Sequence, residues 1–248
     1  MVNNTLAIAA RIDSQLIGDR RFLALSIFLP MIIFYLFKLF IQTLPVGLFT
    51  NPEELYVLIT AFIIHFTSYV LCLIVIVRER RDETLIRMFV NNFSRTEVVM
   101  GYLLGYASLA TVQAVLIMME VNVLFHLSYG LGLMLSLFAV MWTLSLISIA
   151  LGILISNLAK TEAQIFPFIP LFILTTIFIS GLILPISSLP WSVRWLSYLI
   201  PFTYAQMLIK PMLAEASGLF HHLNEFGVLI LYGVLLLFLS SMTLKQRD

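Results

Sequence analysis

The sequence predicts an all-α protein that crosses a membrane several times, and three observations carry that prediction. Hydrophobic residues make up 61% of the 248 residues and charged residues only 11%, where a soluble domain is about a quarter charged. Mean hydropathy is +1.04. Six apolar runs, at 22–42, 55–77, 98–125, 130–155, 163–184 and 226–244, reach the roughly 20 residues a helix needs to cross a bilayer core. Inside hydrocarbon every backbone N–H and C=O must pair within its own segment, so each run is expected to be a helix. A net charge of only +1 argues against a nucleic-acid binder. The single cysteine, Cys72, lies inside an apolar run, so it carries no sign of an oxidising compartment.

The elements follow in order. Over 3–21, Ile8, Ile12 and Leu16 recur at i+4, with Arg11, Ser14 and Gln15 turned elsewhere. That pattern predicts an amphipathic helix lying on the inner membrane surface. No cleavable leader is expected, because the first apolar run begins only at Phe22 and is too long for a signal core. Pro30 in the first span, and Pro167 and Pro170 in the fifth, each remove a backbone donor. They are expected to kink their helices, or the fifth begins at Pro167. Eleven of the fourteen basic residues fall on one side if the N-terminus is cytoplasmic. They are Arg11, Arg20, Arg21, Arg78, Arg80, Arg81, Arg87, Arg95, Lys160, Lys245 and Arg247; Lys38, Arg194 and Lys210 fall elsewhere. Positive charge marks the cytoplasmic side, so both termini are expected inside. The external stretch 185–225, with Trp191, Trp195, Tyr198 and Tyr204 among prolines, reads as an interfacial or re-entrant hairpin between the fifth and sixth spans. No repeat or linker divides 1–248, which reads as one domain.

One stretch breaks the apolar pattern. "RERRDETLIRMFVNNFSRTE", at 78–97, places five arginines and four acids between two spans. Arginines that only enforce topology would not need the acids. Leu85, Met88 and Phe89 stand at i, i+3 and i+4, the apolar stripe of a short helix. An apolar ridge flanked by charges that fix register is a docking element for a cytoplasmic partner.

This loop resembles that of the membrane subunits of type-2 ABC exporters. The match lies at Arg78, Glu79, Arg80, Thr84, Leu85, Ser94, Arg95 and Gly101. Glu83 stands where that family usually has Gly, and Asn91–Asn92 where Pro is frequent. A second segment, "SGLILPISSLPWSVRWLSYLIPFTYAQMLIK", is similar to the family's sequence after its fifth helix. It matches at Ser180, Gly181, Pro185, Leu189, Pro190, Trp195, Pro201, Thr203 and Tyr204, with Ile200 in place of the usual Asn. Motif order, spacing, the N-terminal surface helix and six spans extend the resemblance over essentially the whole chain.

The resemblance implies a permease paired with a second copy or a close relative and driven by a separate cytoplasmic P-loop ATPase. It implies that 78–97 is the coupling helix, with Glu79, Arg80, Glu83, Leu85, Arg87, Met88 and Phe89 as the ATPase-facing set. It also implies a seam between permeases built mainly from the first and fifth spans. ATP and Mg would be held by the partner. This chain has no Gly-Lys dipeptide with which to build a phosphate-binding loop, and no cofactor or metal is expected in it. The expected setting is a prokaryotic cytoplasmic membrane.

Within the spans, Glu120 is an intramembrane acid, either a pathway residue or a hydrogen-bonded structural one. His65 lies midway along the second span between Phe62 and Phe66, and reads first as a neutral core histidine. Gly101-x-x-x-Gly105 permits close helix packing, within the subunit rather than across a dimer. Tyr35, His65, Glu120, Phe168, Phe172, Thr175, Thr176, Trp195 and Tyr204 are the candidate path or gate residues. A mostly apolar path with a few polar contacts suits amphipathic cargo, such as a drug, lipid or peptide. His221, His222 and Glu225 fit an external polar loop better than a metal site. No G-x-S-x-G, H-E-x-x-H or Ser–His pairing supports an intramembrane hydrolase. The competing readings are a scaffold or sensor that recruits a cytoplasmic partner, and an ion-coupled carrier.

Overall fold

The computed structural model describes residues 2–43, 52–127, 129–159 and 161–244. Regular structure among them is entirely helical: α1 (Val2–Gly18), α2 (Arg20–Gln42), α3 (Pro52–Arg81), α4 (Thr84–Val90), α5 (Arg95–Phe125), α6 (Leu131–Leu158), α7 (Glu162–Ile165), α8 (Phe168–Ile179), α9 (Trp191–Ser197), α10 (Pro201–Ala214) and α11 (Leu223–Thr243). Short 3₁₀ turns occupy Ile186–Ser188 and Leu219–His221. Lys160, Lys245 and Arg247, three of the residues counted for orientation, lie outside the described residues.

Five helices are long and apolar enough to cross a membrane: α2, α3, α5, α6 and α11. The fifth expected span, 163–184, is not one continuous helix but breaks at Pro167, the second of the two outcomes its prolines allowed. It divides into α7, a break at Phe166–Pro167, and the twelve residues of α8. A twelve-residue helix is only about 18 Å long at 1.5 Å per residue, short of a hydrocarbon core. Two causes act at its ends. Pro167 and Pro170 lack the N–H groups that would join α7 to α8. At the other end Gly181 takes φ +100, which a continuing helix does not allow. Pro30, in contrast, sits inside α2 without ending it.

α3 and α6 form the centre. Gly152 lets the two backbones approach so closely that an added Cβ would lie 2.7 Å from the Tyr69 carbonyl oxygen. Leu58 and Ile64 of α3 share one core with Leu137, Val140 and Leu144 of α6. α10 joins that core through Phe202, Ala205, Leu208, Ile209 and Met212, all fully buried. The stretch read as one external hairpin therefore has two natures. α10 carries apolar residues at helical spacing and packs into the bundle, whereas α9 keeps its aromatics on the surface. α2 is the least packed long helix, with Leu25, Phe28, Leu29, Ile32, Leu36 and Leu39 all exposed.

The stripe on α1 is buried within the protein. Ile8, Ile12 and Leu16 face α5. The seat is the Gly101-x-x-x-Gly105 pair, where added Cβ atoms would lie 2.6 Å from the Ile8 Cβ and 2.7 Å from the Ile12 Cβ. The small residues thus serve packing inside the chain.

Candidate functional site

The island at 78–97 folds as the end of α3, a tight turn, α4 and the start of α5. α3 runs on through Arg81, and the turn closes with Asp82 N–H donating to Arg78 O at 2.9 Å and Glu83 N–H to Arg80 O at 3.0 Å. Glu83 adopts φ 59, the left-handed region. The glycine usual at this place in the resembled family would take that conformation without a Cβ penalty. α5 then opens with a capping box: the Ser94 hydroxyl accepts from Glu97 N–H, and the Glu97 carboxylate accepts from Ser94 N–H at 2.8 Å.

Most of the expected ATPase-facing set turns inward. Glu79 is buried and accepts two hydrogen bonds from the Arg11 guanidinium, Nη1–Oε2 at 3.3 Å and Nη2–Oε1 at 3.2 Å. The same Nη2 donates to the Tyr102 hydroxyl at 2.9 Å. Burial alone would lower the Arg11 pKa, but Tyr102 and Glu79 hold it above its ordinary value. Arg80 donates to the carbonyls of Ala159, at 2.5 Å, and Ser156, at 3.4 Å. A cation there meets the negative end of α6. Leu85 and Met88 are buried against Ile76 and Val98, so the apolar ridge of α4 is occupied by the chain's own core, with Phe89 half-buried beside it. What α4 turns outward is Ile86 (47% exposed), Val90 (75% exposed) and Arg87. Arg87 also donates to Asp82 O at 2.7 Å and so braces the turn. Behind the turn, between α1, α3 and α5, lies a cleft of about 330 Å³ lined by Asp19, Phe22, Arg78, Glu79, Asp82 and Tyr106, among others.

The second constellation lies between α3 and α8. His65 is fully buried, with its Nδ1 2.5 Å from the Ser148 hydroxyl of α6. Its ring lies 4.7 Å from that of Phe172 and 6.0 Å from that of Phe202. Phe172 stacks on Tyr69 at 4.1 Å. Three buried polar atoms on α3 and α8, His65 Nε2, Ser68 Oγ and Thr176 Oγ1, have no hydrogen-bond partner among the described residues.

Of the other candidates, Tyr35 is exposed on α2, and Phe168 and Thr175 are half-buried on α8. Glu120 is half-buried on α5, and its Oε2 has no partner among the described residues. Trp195 is exposed on α9, and the Tyr204 hydroxyl of α10 donates to Tyr198 O at 2.9 Å. Ring contacts bring together His65 and Phe172; none joins Tyr35, Trp195 or Tyr204 to them.

The last residue of α9 and three residues of α10 supply what the broken end of α8 lacks. Ser197 donates to Ile179 O at 2.7 Å, Thr203 and Gln206 donate to Ser180 O, and Lys210 donates to Gly181 O at 3.1 Å. These carbonyls are the ones a helix end leaves unpaired. Lys210 also lies 3.9 Å from Glu54 of α3. Sequence reasoning missed Arg11, Tyr102, Tyr69, Ser148, Phe202 and Gln206. Arg11 did have a signal, as the one basic residue within an otherwise uncharged stretch of α1 before Asp13.

Fold and loop together define a multi-pass helical membrane protein with a short braced helix between two of its long apolar helices. Residues 3–210 match the family model of ABC-2 type transporters, and the chain belongs to that family as a transporter membrane domain. A curated relative, ABC transporter G family member 20 of Dictyostelium discoideum, is 24% identical over 176 residues, 69% of this chain and 24% of its own length. The chain thus spans about a quarter of that relative. That organism gives no support to the prokaryotic setting expected above.

Proposed function

We propose that this single membrane domain, 1–248, is the permease of an ATP-driven exporter of amphipathic molecules, working with a separate P-loop ATPase and a second permease, identical or related. One observation carries the reading beyond family membership. The island is rigidly tied to α1, α5 and α6 through Glu79, Arg80, Leu85 and Met88, yet presents Ile86, Arg87 and Val90 outward. An element that is braced from behind and open in front is suited to pass a push from a partner into the bundle. ATP and Mg belong to that partner.

In this cycle the ATPase presses on the outer face of α4 and on Glu83. The push reaches α3 through the turn, α1 through Arg11, and α6 through Arg80. α8, short and packed on α3 through Phe172, moves against α3. That movement opens the seam around His65, Phe172 and Thr176 to cargo. With α8 and its neighbouring loops counted as the sixth crossing, both termini share the cytoplasmic side. The exposed faces of α2 and α8 form the seam with the second permease.

The test is co-purification of the tagged chain in mild detergent. The wild type is expected to retain a P-loop ATPase, and the pair Ile86→Asp with Val90→Asp, both on the exposed face, to lose it at unchanged thermal stability. Retention by that variant overturns the docking face. Absence of an ATPase from the wild type, under conditions that preserve known complexes, overturns the exporter reading in favour of a scaffold or an ion-coupled carrier.

A further inference from the structure

The cleft between α1, α3 and α5 carries polar groups that the chain itself leaves uncommitted. Two of its acids are engaged: Glu79 pairs with Arg11 at 3.2 Å, and Asp82 pairs with Arg81 at 3.2 Å. Asp19 and Arg78 line the same cleft, both exposed, and neither has an ion pair among the described residues. Opposite charges that face one cleft without closing on each other leave room for a group that carries both signs. Tyr106 adds an independent observation. It lines the cleft, is 6% exposed and stacks its ring on Tyr102, yet its hydroxyl makes no hydrogen bond among the described residues. A buried hydroxyl is seldom left without a partner. The volume of about 330 Å³ falls in the range of small-ligand sites.

We propose that this cleft binds the headgroup of a phospholipid that bears a primary amine. Its assignment to the cytoplasmic leaflet rests on the orientation proposed above; the binding itself does not. Arg78 and the Tyr106 hydroxyl donate to the phosphate, and the Asp19 carboxylate accepts from the ammonium. Hydrogen bonds with a charged partner at either end are the strong ones. A trimethylated amine has no N–H to give Asp19, and an anionic headgroup without an amine meets the acids of the cleft uncompensated. A lipid suits the site better than a soluble zwitterion, because Leu16, Phe22 and Val75 form an apolar wall in it. Phe22 opens the apolar run of α2, so the cleft lies where the chain enters the bilayer. Phe22 also packs inward on the cluster shared by α1 and α5, apart from the exposed α2 residues assigned to the seam.

The site has a mechanical consequence. Its lining comes from α1, α3, α5 and the turn that leads into α4. A headgroup seated there ties the island to α1 by contacts additional to the Arg11–Glu79 pair. Lipid composition then sets how firmly the island is braced.

The experiment is native mass spectrometry of the delipidated chain in detergent, titrated with dioleoyl phosphatidylethanolamine, phosphatidylcholine or phosphatidylglycerol. The wild type is expected to bind the ethanolamine lipid about tenfold more tightly than either of the others, the ratio set by one charge-assisted hydrogen bond. Arg78→Gln is expected to weaken that binding about tenfold on the same ground, and Tyr106→Phe to weaken it several-fold. Asp19→Asn should abolish the preference over the choline lipid, while keeping an oxygen for the Phe22 N–H that Asp19 caps at 3.0 Å. Equal binding of the three lipids, or tighter binding of the glycerol lipid, overturns the proposal. An ethanolamine preference unchanged in all three variants places the lipid elsewhere and overturns it equally. Displacement by soluble glycerophosphoethanolamine at the same concentration makes the ligand a soluble one and overturns the lipid. If Asp19→Asn fails to fold, Arg78→Gln, at an exposed residue, and Tyr106→Phe, which keeps the stacked ring, still decide. The measurement needs neither ATPase nor cargo, so failure of the exporter reading leaves the result interpretable.

Discussion

Arg11 of α1 and Glu79 of α3 form a two-pronged ion pair, with N–O distances of 3.3 and 3.2 Å, that spans 68 positions of sequence. It closes over Tyr102 of α5, so three helices meet at one guanidinium. Glu79→Gln keeps the shape but removes the charge. It is expected to lower stability by about 1.5–3 kcal/mol, the range for hydrogen bonds to charged groups. Tyr102→Phe removes one neutral acceptor and is expected to cost about 1 kcal/mol. Thermal unfolding in detergent measures both, and hydrogen exchange over 2–18 shows whether α1 loosens. Unchanged protection of α1 in Glu79→Gln would mean that its glycine seat alone holds it.

That seat gives a second prediction. At Gly101 and Gly105 an added methyl meets the Ile8 and Ile12 Cβ atoms, not a flexible side-chain tip. Gly105→Ala is therefore expected to push α1 away and to destabilise by about 1–3 kcal/mol, as overpacking does. Ile12→Ala is not expected to rescue it, because alanine keeps the Cβ that clashes. Disulfide trapping between cysteines placed on α1 and α5 reports the displacement directly; efficient trapping in Gly105→Ala would count against it.

Glu83 supplies a test in the stabilising direction. Its φ of 59 is the left-handed region, which costs a non-glycine residue about 1–2 kcal/mol. Glycine removes that strain but loses about 0.5–1 kcal/mol to unfolded-chain entropy. Glu83→Gly should thus leave stability unchanged or raise it by up to about 1.5 kcal/mol. If the same variant lowers ATPase retention, the carboxylate is a docking contact; retention at wild-type level assigns Glu83 to the turn alone.

The residues that were legible in the sequence are those whose signal is local. Periodicity identified the stripe on α1, and apolar length gave five spans; the capping box of Ser94 and Glu97, which starts α5 three residues before the expected span, was a local signal left unread. The charged island was visible as a break in composition. What the island's side chains touch was not visible. The stripe of Leu85, Met88 and Phe89 reads the same whether its groove lies in a partner or in the same chain. Arg11 and Glu79 are 68 positions apart, and no local rule pairs them. The fifth span failed for a related reason. Hydropathy counts apolar residues across a break, whereas Pro167, Pro170 and Gly181 decide where helical hydrogen bonds stop. The burial of α10 likewise depends on the space that α3 and α6 leave for it.

Gly181 combines a backbone demand with a packing demand. Its φ is +100, and an added Cβ would lie 2.6 Å from Gln206 Nε2, the group that binds Ser180 O. Gly181→Ala is expected to cost about 1–3 kcal/mol through backbone strain and to displace the Gln206 cap as well. Gln206→Leu keeps the backbone and loses only the cap. If the two variants melt together, the cap dominates; a clearly lower melting temperature for Gly181→Ala assigns the larger share to the left-handed backbone.

The two faces of α4 make opposite predictions about the same seven-residue helix. Leu85 is 3% exposed and packs into the cluster with Ile76, Val98 and Tyr102. Leu85→Ala is expected to destabilise by about 2–5 kcal/mol, the range for emptying a buried leucine site. Its surviving folded fraction should still bind the ATPase, because the outer face is untouched. Ile86→Asp changes an exposed residue and should alter stability by no more than about 0.5 kcal/mol, while removing the apolar contact on which docking depends. Melting temperature and ATPase retention, measured on both variants, separate bracing from docking. If Leu85→Ala loses the ATPase without losing stability, the inner ridge is the docking surface after all, and α4 must rotate to present it.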